Sequence, residues 1–313
     1  MSLLRRFLGS GGNALLLVFL IILAIIVEPA LISPRAIKNI LTSANPLIVV
    51  AVGQALVMLT GGVDLSVGSV ISLSNVIAAL LMQRSPGLAI PIMIFCVLAG
   101  MAVGLLNGLL VAYARVSAFI ITLAVGIALQ GVTLDIMKQP GGEVTQGLAQ
   151  ISRITWGRVP VVTIVLVVLV LLLAWAIRRT PLGISLIAVG GNEASARMSG
   201  LPVLRLKALV YVISGGLASC AGLLLASRVS SGDPLIGTPY SLDSITAAVL
   251  GGTSLVGGVI SGVGALVAGV LLTLINTLLN LRGMSPFLQW IVKGAILIAA
   301  LSLDFLRRRA RRT

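Results

Sequence analysis

Two charged residues lie in stretches of sequence that are otherwise apolar. Lys293 stands inside the run WIVKGAIL, and Asp243 lies at the start of the apolar segment LDSITAAVL. A lone ammonium group at the centre of a membrane helix costs about 2.5–3.5 kcal/mol, so a partner for Lys293 is expected. We predict that Asp243, or backbone carbonyls near Gly251 and Gly252, neutralise it. The alternative is that Lys293 reaches water in a pore.

The rest of the sequence offers little for covalent or proton-transfer chemistry. It contains no histidine and only 8 Asp and Glu residues, whereas a proton relay in a membrane usually needs a chain of Asp, Glu or His. It also lacks any Gly-Lys dipeptide, so it has no phosphate-binding loop of the G-x-x-x-x-G-K-[ST] form. We therefore expect no catalytic residue, no metal site and no bound cofactor in this chain.

A third polar segment reads TGGVDLSVG and separates two apolar runs. Gly61 and Gly62 allow a tight reversal of the chain. Asp64 or Ser66 can accept hydrogen bonds from the free amides at the start of the next helix, and Gly68 follows just beyond. A capped turn is the simpler interpretation. A direct role in a gate or a substrate site is the alternative.

Membrane helices must position these residues, because apolar residues make up 58% of the chain and charged residues only 10%. An ordinary soluble domain has about 25% charged residues, and a spanning helix needs roughly 20 mostly apolar residues. The sequence predicts an all-α polytopic membrane protein, a single transmembrane domain over residues 1–313 with about ten spans. The eighth is short and is expected to be a broken or tilted half-span. The predicted spans are 14–33, 44–60, 66–83, 88–112, 116–134, 160–177, 204–227, 240–252, 258–280 and 286–306.

Basic residues determine the expected orientation of the spans, since Lys and Arg favour the cytoplasmic side of a membrane. With the N-terminus inside, 13 Lys and Arg residues lie on the inner side and 8 on the outer side. Both termini are therefore expected in the cytoplasm. The arginine-rich tail Arg307–Arg312 is expected to bind lipid headgroups. Nucleic acid is not an expected partner, because aromatic residues make up only 4% of the chain and base-stacking surface is absent.

The sequence also resembles itself at a spacing of 169 residues. That shift aligns Asp64 with Asp233 and Asn107 with Asn276, and 9 of the 31 positions between 51 and 81 are identical. On the predicted topology, the two aspartate loops lie on opposite sides of the membrane. We therefore predict that spans 2–5 and 7–10 are two inverted repeats, an arrangement that places the substrate between the halves in many transporters.

Glycines spaced four residues apart predict close packing between helices. Such series are Gly100, Gly104 and Gly108 in the fourth span, and Gly258 and Gly262, with the neighbouring Gly264, in the ninth.

A polar connection at residues 178–207 joins spans 6 and 7. A short amphipathic run is interrupted by GGN at positions 190–192, and Asn192 can cap a second short helix, EASARM, that begins at Glu193. Two short helices across the cytoplasmic face would form a rigid surface suited to transmitting force. A solvated connector is the simpler alternative.

Three segments of the chain resemble a known family: TGGVDLSVGSVISLS, GGNEASARMSG and SLDSITAAVLGGTSLVGG. They look like the permease subunit of ABC importers for monosaccharides of the ribose, xylose and galactose group, and the resemblance extends over residues 46–303. It implies a ten-helix importer fold in the bacterial inner membrane. It also implies a second permease copy or a paralogue, two ATP-binding-cassette subunits that hold ATP and Mg²⁺, and a periplasmic sugar-binding protein.

The resemblance also implies that the second of these motifs is the coupling segment received by the ATPase. The chain departs from the family pattern at Met198, where members often carry leucine or arginine, and in a short outer connection near residues 84–88. The coupling residues that the resemblance implies are Gly190, Gly191, Asn192, Glu193, Ala196, Arg197, Ser199 and Gly200.

Polar side chains within the spans could line a path for a sugar. Sugar sites combine such groups with aromatic faces, which are scarce here, so we expect a weakly binding conduit with selectivity set by the binding protein. For each residue, an interhelical hydrogen bond worth about 0.6 kcal/mol is the alternative. The candidates are Asn75, Asn107, Gln130, Asn276 and Gln289, together with Gln54, Ser72, Ser74 and Asn280.

These features favour a membrane-spanning permease subunit of an ATP-driven importer that translocates a small sugar and performs no covalent chemistry. Two alternatives remain open from the sequence. One is a secondary carrier for a small polar solute, driven by an ion gradient. The other is an ABC permease for nucleosides or branched amino acids.

Overall fold

The computed structural model describes residues 28–114 and 116–312, and this part of the chain is mainly helical. Short 3₁₀ turns lie at Pro29–Ile32 and Pro86–Leu88, and an antiparallel hairpin pairs β1 (Thr155–Trp156) with β2 (Val159–Pro160). The α-helices of the described residues are α1 (Pro34–Leu59), α2 (Val67–Arg84), α3 (Ala89–Tyr113), α4 (Ala118–Ile136), α5 (Gln146–Ile151), α6 (Val161–Arg179), α7 (Pro181–Gly191), α8 (Glu193–Met198), α9 (Val203–Val229), α10 (Tyr240–Leu250), α11 (Gly262–Leu281) and α12 (Pro286–Arg312).

Seven of the described helices are long and apolar enough to cross a membrane, which confirms the prediction of a polytopic all-α membrane protein. They are α1, α2, α3, α4, α6, α9 and α11, and they correspond to predicted spans two to seven and nine. α10 has only 11 residues and matches the expected half-span. α12 carries a shorter apolar stretch at Phe287–Ala299. The first predicted span, 14–33, lies mostly outside the described residues.

The helices divide into a buried core and an apolar outer shell. α1 is buried along most of its length, whereas α3, α4 and α6 expose long rows of large apolar side chains, among them Ile90, Ile127 and Leu172. A continuous apolar surface of this kind is stable in lipid and not in water. The chain is therefore a multi-pass membrane protein.

The predicted glycine seam on α3 is confirmed, and its partner is α9. A Cβ atom added at Gly108 would lie 2.7 Å from Ala208 Cα, and one at Gly104 would collide with the backbone carbonyl oxygen of Tyr211. One at Gly100 would lie 2.5 Å from the Gly215 carbonyl oxygen. The two helices run antiparallel with their backbones in contact, as small residues permit inside a membrane.

The second glycine series differs from the prediction. Gly258 is not helical, because its φ of 76° lies in the left-handed region and α11 begins only at Gly262. Ser261 caps α11 by accepting a hydrogen bond from the Gly264 amide at 3.1 Å. Gly264 does allow close packing, since its Cα faces the backbone of Gly251 at the end of α10.

The architecture of the described residues follows the internal repeat. A shift of 169 residues places Pro34, the start of α1, on Val203, the start of α9, and the following helices of each half correspond in order. α9 packs on α2 and α3, while its counterpart α1 packs on α10 and α11. In the same way α2 contacts α4, and α10 contacts α12. α1 and α9 run antiparallel, since Gly53 lies beside Ser214 and Gly62 beside Tyr211.

Equivalent residues of the two halves meet each other at the centre. A Cβ atom on Gly68 would lie 2.7 Å from the carbonyl oxygen of Gly237, its counterpart in the repeat, and Gly237 is equally tight against Gly68. Ser72 accepts a hydrogen bond from the Gly237 amide at 3.0 Å, while its counterpart Ser241 packs against Gly68. These reciprocal contacts place a pseudo-twofold axis between Gly68 and Gly237.

The bundle has two ends, which we call the loop face and the opposite face. The loop face holds the α1–α2 turn (60–66), the α6–α9 connection (180–202) and the α10–α11 loop (251–261), joined by the hydrogen bond from Gly258 N to Leu59 O at 2.9 Å. The opposite face holds residues 137–160 and 230–239, where Gly141 and Gly232 exchange backbone hydrogen bonds of 2.9 and 2.8 Å.

Candidate coupling surface and its buried polar contacts

The connection at 178–207 folds into two short helices, α7 and α8, each with a side-chain cap. Thr180 accepts a hydrogen bond from the Gly183 amide at 3.2 Å, and Pro181 occupies the first turn of α7, where no amide hydrogen is needed. Asn192 accepts a hydrogen bond from the Ser195 amide at 3.0 Å, as predicted, and α8 covers the six residues EASARM. α7 ends at Gly191, so Gly190 and Gly191 form its last two residues.

Gly190 and Gly191 lie where three elements of the loop face meet. A Cβ atom on Gly190 would overlap the Leu59 carbonyl oxygen at the end of α1. One on Gly257, in the α10–α11 loop, would lie 2.6 Å from the Gly190 carbonyl oxygen, and one on Gly258 would lie 3.1 Å from Gly191 Cα. Only glycine fits such backbone contacts. The end of α7 therefore rests directly on the end of α1 and on the loop that follows the half-span α10.

Glu193 ties α8 to the first turns of α9. Its carboxylate pairs with Arg197 one turn later at 3.0 Å and with Lys207 of α9 at 2.5 Å. The hydrogen bond from Lys207 is the main reason that the pKa of Glu193 lies below its ordinary value. Partial burial opposes this shift, and the charge of Lys207 and the contact with Arg197 lower the pKa further by smaller amounts. The spacing of Glu193 and Arg197 is visible in the sequence, but the contribution of Lys207 is not.

The outer side of α8 is open. Met198 is 83% exposed, whereas Ala196 is 4% exposed and packs inward beside Val203 and Leu206. Ser199 donates to the Ser195 carbonyl at 3.0 Å, and Gly200 leaves the helix with a φ of 79°. Of the predicted coupling residues, Arg197 and Ser199 are at the surface, and Ala196 anchors the helix.

A cavity of about 540 Å³ lies on the loop face between α8, the start of α9 and the ends of α1 and α3. Glu193, Arg197 and Lys207 line it on one side, and Gly62 and Tyr211 line it on the other. The coupling helix is therefore attached to the bundle through Ala196, through the pair of Glu193 with Lys207 and through the neighbouring Gly190 contact, and the cavity lies beside these attachments.

Asp64 is buried behind this cavity, with 1% of its surface exposed. Its Oδ1 atom accepts hydrogen bonds from the Ser66 amide at 3.0 Å and the Ser66 hydroxyl at 2.6 Å, and Oδ2 accepts from Ser214 at 3.2 Å. No side chain caps the amides of the first turn of α2. The predicted helix cap is therefore wrong, because Asp64 closes the turn onto Ser66 instead of reaching into α2.

Further side chains hold the Asp64 turn from neighbouring helices. Asn107 of α3 donates to the Ser66 hydroxyl at 2.8 Å. Gln54 of α1, in the amide orientation that satisfies both groups, donates to the Asp64 carbonyl at 3.0 Å and accepts from its amide at 3.2 Å. Tyr211 of α9 donates to the Val63 carbonyl at 3.4 Å and packs against Gly62. α1, α3 and α9 therefore share one buried polar turn.

The predicted partner of Lys293 is Asp243. The Lys293 Nζ atom lies 2.7 Å from Asp243 Oδ2, and the side chains are 24% and 14% exposed. This ion pair joins α12 to the first turn of the half-span α10. Gly251 and Gly252 lie at the other end of α10, where Gly252 has a φ of 97°, so they terminate the helix and do not neutralise the ammonium group.

The five predicted path residues do not converge on one site. Asn75 accepts from the Asp233 amide at 2.7 Å, and Gln130 donates to the Pro234 carbonyl at 2.8 Å, so both hold the second aspartate loop. Asn107 belongs to the Asp64 turn, and Gln289 donates to Asn280 near the opposite face at 2.8 Å. Asn276 is half-buried on α11. None of the five lines the 540 Å³ cavity.

The fold and this surface define a multi-pass membrane permease component, and comparison with known proteins agrees. Residues 36–301 match the family described as "Branched-chain amino acid transport system / permease component", and the chain belongs to this family. A search of solved structures finds no significant match.

Individual relatives are similar over nearly their whole length. The ribose import permease protein RbsC of Escherichia coli (strain K12) is 37% identical over 298 residues, covering 92% of each chain. The galactose/methyl galactoside import permease protein MglC of the same strain is 32% identical, covering 96% of this chain and 95% of the relative. The L-arabinose ABC transporter permease protein AraH of Azospirillum brasilense is 34% identical, covering 96% and 89%.

Proposed function

We propose that this chain is the membrane-spanning permease subunit of an ATP-driven importer and translocates a small sugar. The observation that carries the proposal is the 37% identity to a ribose import permease over 92% of both chains. The galactose and arabinose permeases, at 32% and 34% identity, point to the same class of solute. The family description names branched-chain amino acids, but these individual relatives favour a sugar over an amino acid or a nucleoside.

Within that function, residues 178–207 are the segment that couples the permease to an ATPase. Support comes from the position of α8, which is exposed on its outer side and attached to the core through Glu193, Lys207 and the Gly190 contact. A push on α8 would reach the end of α1 and the α10–α11 loop directly. Packed interfaces of this kind shift between discrete arrangements and do not deform continuously.

The proposal also determines which partners and surroundings the chain needs. Two ATP-binding-cassette subunits, which hold ATP and Mg²⁺, contact the loop face, and a periplasmic sugar-binding protein contacts the opposite face. A second copy of the permease or a paralogue completes the membrane part. The loop face and both termini then lie in the cytoplasm of a bacterial cell with the chain in its inner membrane, in agreement with the distribution of Lys and Arg.

A gradient-driven carrier is the weaker candidate. Among the described residues, the carboxylates that the helices bury most deeply are Asp64, which is held by Ser66 and Ser214, and Asp243, which is paired with Lys293. A proton relay needs a continuous chain of ionisable groups across the membrane.

Disulfide crosslinking tests the coupling surface. In a background without the native cysteines, Met198→Cys on α8 is expected to crosslink to an ATPase subunit encoded beside this gene and carrying a cysteine in its permease-facing groove. Ile154→Cys, 53% exposed near the opposite face, is the matched control and is expected to give no crosslink. Crosslinking from Ile154→Cys but not from Met198→Cys would place the ATPase on the opposite face and would contradict the proposed coupling surface.

A further inference from the structure

Near the opposite face lies a cavity of about 710 Å³, which we call the basic cavity. Lys38 of α1, Arg153 after α5 and Arg228 of α9 line it, together with polar groups such as Ser43 and Asn280. Among the described residues of its lining, none carries a carboxylate. Three cations converging on one cavity create a positive potential that attracts an anion.

A second depression, the apolar groove, has a volume of about 420 Å³ and is lined by aliphatic side chains together with Met93 and Cys220. It lies between α3, α5, α6 and α9, and Val49 of α1 forms its floor. On α6, Val165 is 58% exposed and Leu169 is 44% exposed, so the groove opens on the outer shell of the bundle. Its contents must therefore be apolar and must come from the lipid side.

The basic cavity and the apolar groove are adjacent along the chain and along two helices. In the segment 151–154, Ile151 and Ile154 line the apolar groove, and the residues between them, Ser152 and Arg153, line the basic cavity. On α1, Lys38 precedes Val49 by 11 positions, and on the antiparallel α9, Leu217 precedes Arg228 by the same number. At 1.5 Å per residue, Val49 and Leu217 lie about 16 Å from the cations along the bundle and mark the far end of the groove, whereas Leu224 lies only about 6 Å from Arg228 and marks its near end.

We propose that the basic cavity and the apolar groove together bind one anionic phospholipid. Its phosphate lies among Lys38, Arg153 and Arg228, and one acyl chain occupies the groove. The depth of about 16 Å matches the reach of an acyl chain below its headgroup, since half of a bilayer core is about 15 Å thick. A free anion would leave the apolar groove empty, and an apolar peptide segment would leave three cations without a counter-charge.

Native mass spectrometry of the purified full-length chain tests this site with two lipids of equal acyl composition, phosphatidylglycerol and phosphatidylcholine. We expect preferential retention of phosphatidylglycerol. Arg153→Gln should lower its affinity about fivefold and the double variant Arg153→Gln/Arg228→Gln about 30-fold, because each cation near a lipid surface contributes by about this factor. Arg158→Gln, an exposed arginine on the same face outside the cavity lining, is the control and should change nothing.

A separate variant, Val165→Trp, tests the groove by placing a larger side chain at an exposed position of its wall. It leaves the three cations in place and should still weaken the binding of phosphatidylglycerol. Should this variant fail to fold, the arginine variants decide. Three outcomes would overturn the proposal. One is equal retention of both lipids, and another is displacement of phosphatidylglycerol by millimolar inorganic phosphate. The third is an efficient disulfide between Leu20→Cys and Val165→Cys in a chain free of other cysteines, which would show the N-terminal segment in the groove.

Discussion

The ion pair between Lys293 and Asp243 makes a quantitative prediction about stability. Removing one member of a buried pair costs about 3–5 kcal/mol, because it leaves an uncompensated charge. Asp243→Leu leaves an ammonium group that is 24% exposed, so we expect a somewhat smaller loss, about 2–3 kcal/mol. Lys293→Met leaves the more buried carboxylate, 14% exposed, with an expected loss of about 3 kcal/mol.

The double variant Asp243→Leu/Lys293→Met removes both charges and replaces them with apolar groups, which is often neutral or stabilising. We therefore expect it to lie within about 1 kcal/mol of the wild type, with a coupling energy of at least about 2 kcal/mol in the double-mutant cycle. Urea unfolding of the purified protein in detergent, followed by circular dichroism, measures the four free energies. Glu28→Gln is the control, since its pair with Arg282 is longer, at 3.6 Å, and more exposed, at 28% and 54%, and its loss should cost under about 1 kcal/mol. Single variants within about 0.5 kcal/mol of the wild type, or additive losses, would show that the two charges do not stabilise each other.

Three further predictions follow from the packing and from the coupling surface. Gly104→Ala places a methyl group against a backbone carbonyl of α9 and should destabilise the protein by about 1–3 kcal/mol in the same unfolding assay. Gly131 has open space around it, so the control Gly131→Ala should be neutral or slightly stabilising. Asn192→Ala should destabilise α8 by about 1 kcal/mol, which hydrogen exchange would detect as faster exchange of the amides in that helix. Asn192→Asp keeps the hydrogen-bond acceptor and should leave the exchange rates unchanged. Equal exchange rates in the two variants would contradict the cap. Glu193→Gln should uncouple ATP hydrolysis from uptake in the assembled transporter with little loss of stability. Glu143→Gln, on the opposite face, is the control and should leave the two activities coupled. Normal coupling in Glu193→Gln would show that Glu193 has no role in coupling.

Much of the helical framework was predictable, because runs of about 20 apolar residues have few alternatives in a membrane. The half-span α10 was visible as a short apolar run ending in Gly251-Gly252. Lys293 and Asp243 could be paired because a buried charge needs a counter-charge and few were available. The internal repeat was also legible, since Asp64 and Asp233 keep their spacing of 169 residues.

Features that depend on contacts between distant parts of the chain were not predictable. α5 and the small hairpin at 155–160 lie in a polar stretch without clear periodicity, and the Ser152 amide is held by the Ser227 hydroxyl, 75 residues away. The expected cap by Asp64 is wrong because Gln54 and Ser214, from two other helices, help to determine the direction of its turn.

The path residues show the same limit. Asn and Gln within a membrane span can face a solute or another helix, and the sequence does not distinguish the two. In the structure, Asn75 and Gln130 form hydrogen bonds with the loop that contains Asp233. These two side chains therefore join parts of the protein, as in the alternative to a path for the solute.

The central claim is that transport through this chain is powered by ATP hydrolysis in a partner and not by an ion gradient. The most direct measurement is uptake of radiolabelled ribose, galactose and arabinose into proteoliposomes that contain this chain together with the proposed ATPase and sugar-binding partners. We expect uptake of at least one sugar that requires ATP and all three components, and no uptake with the permease alone under a proton or sodium gradient. Uptake by the permease alone, driven by such a gradient, would contradict it.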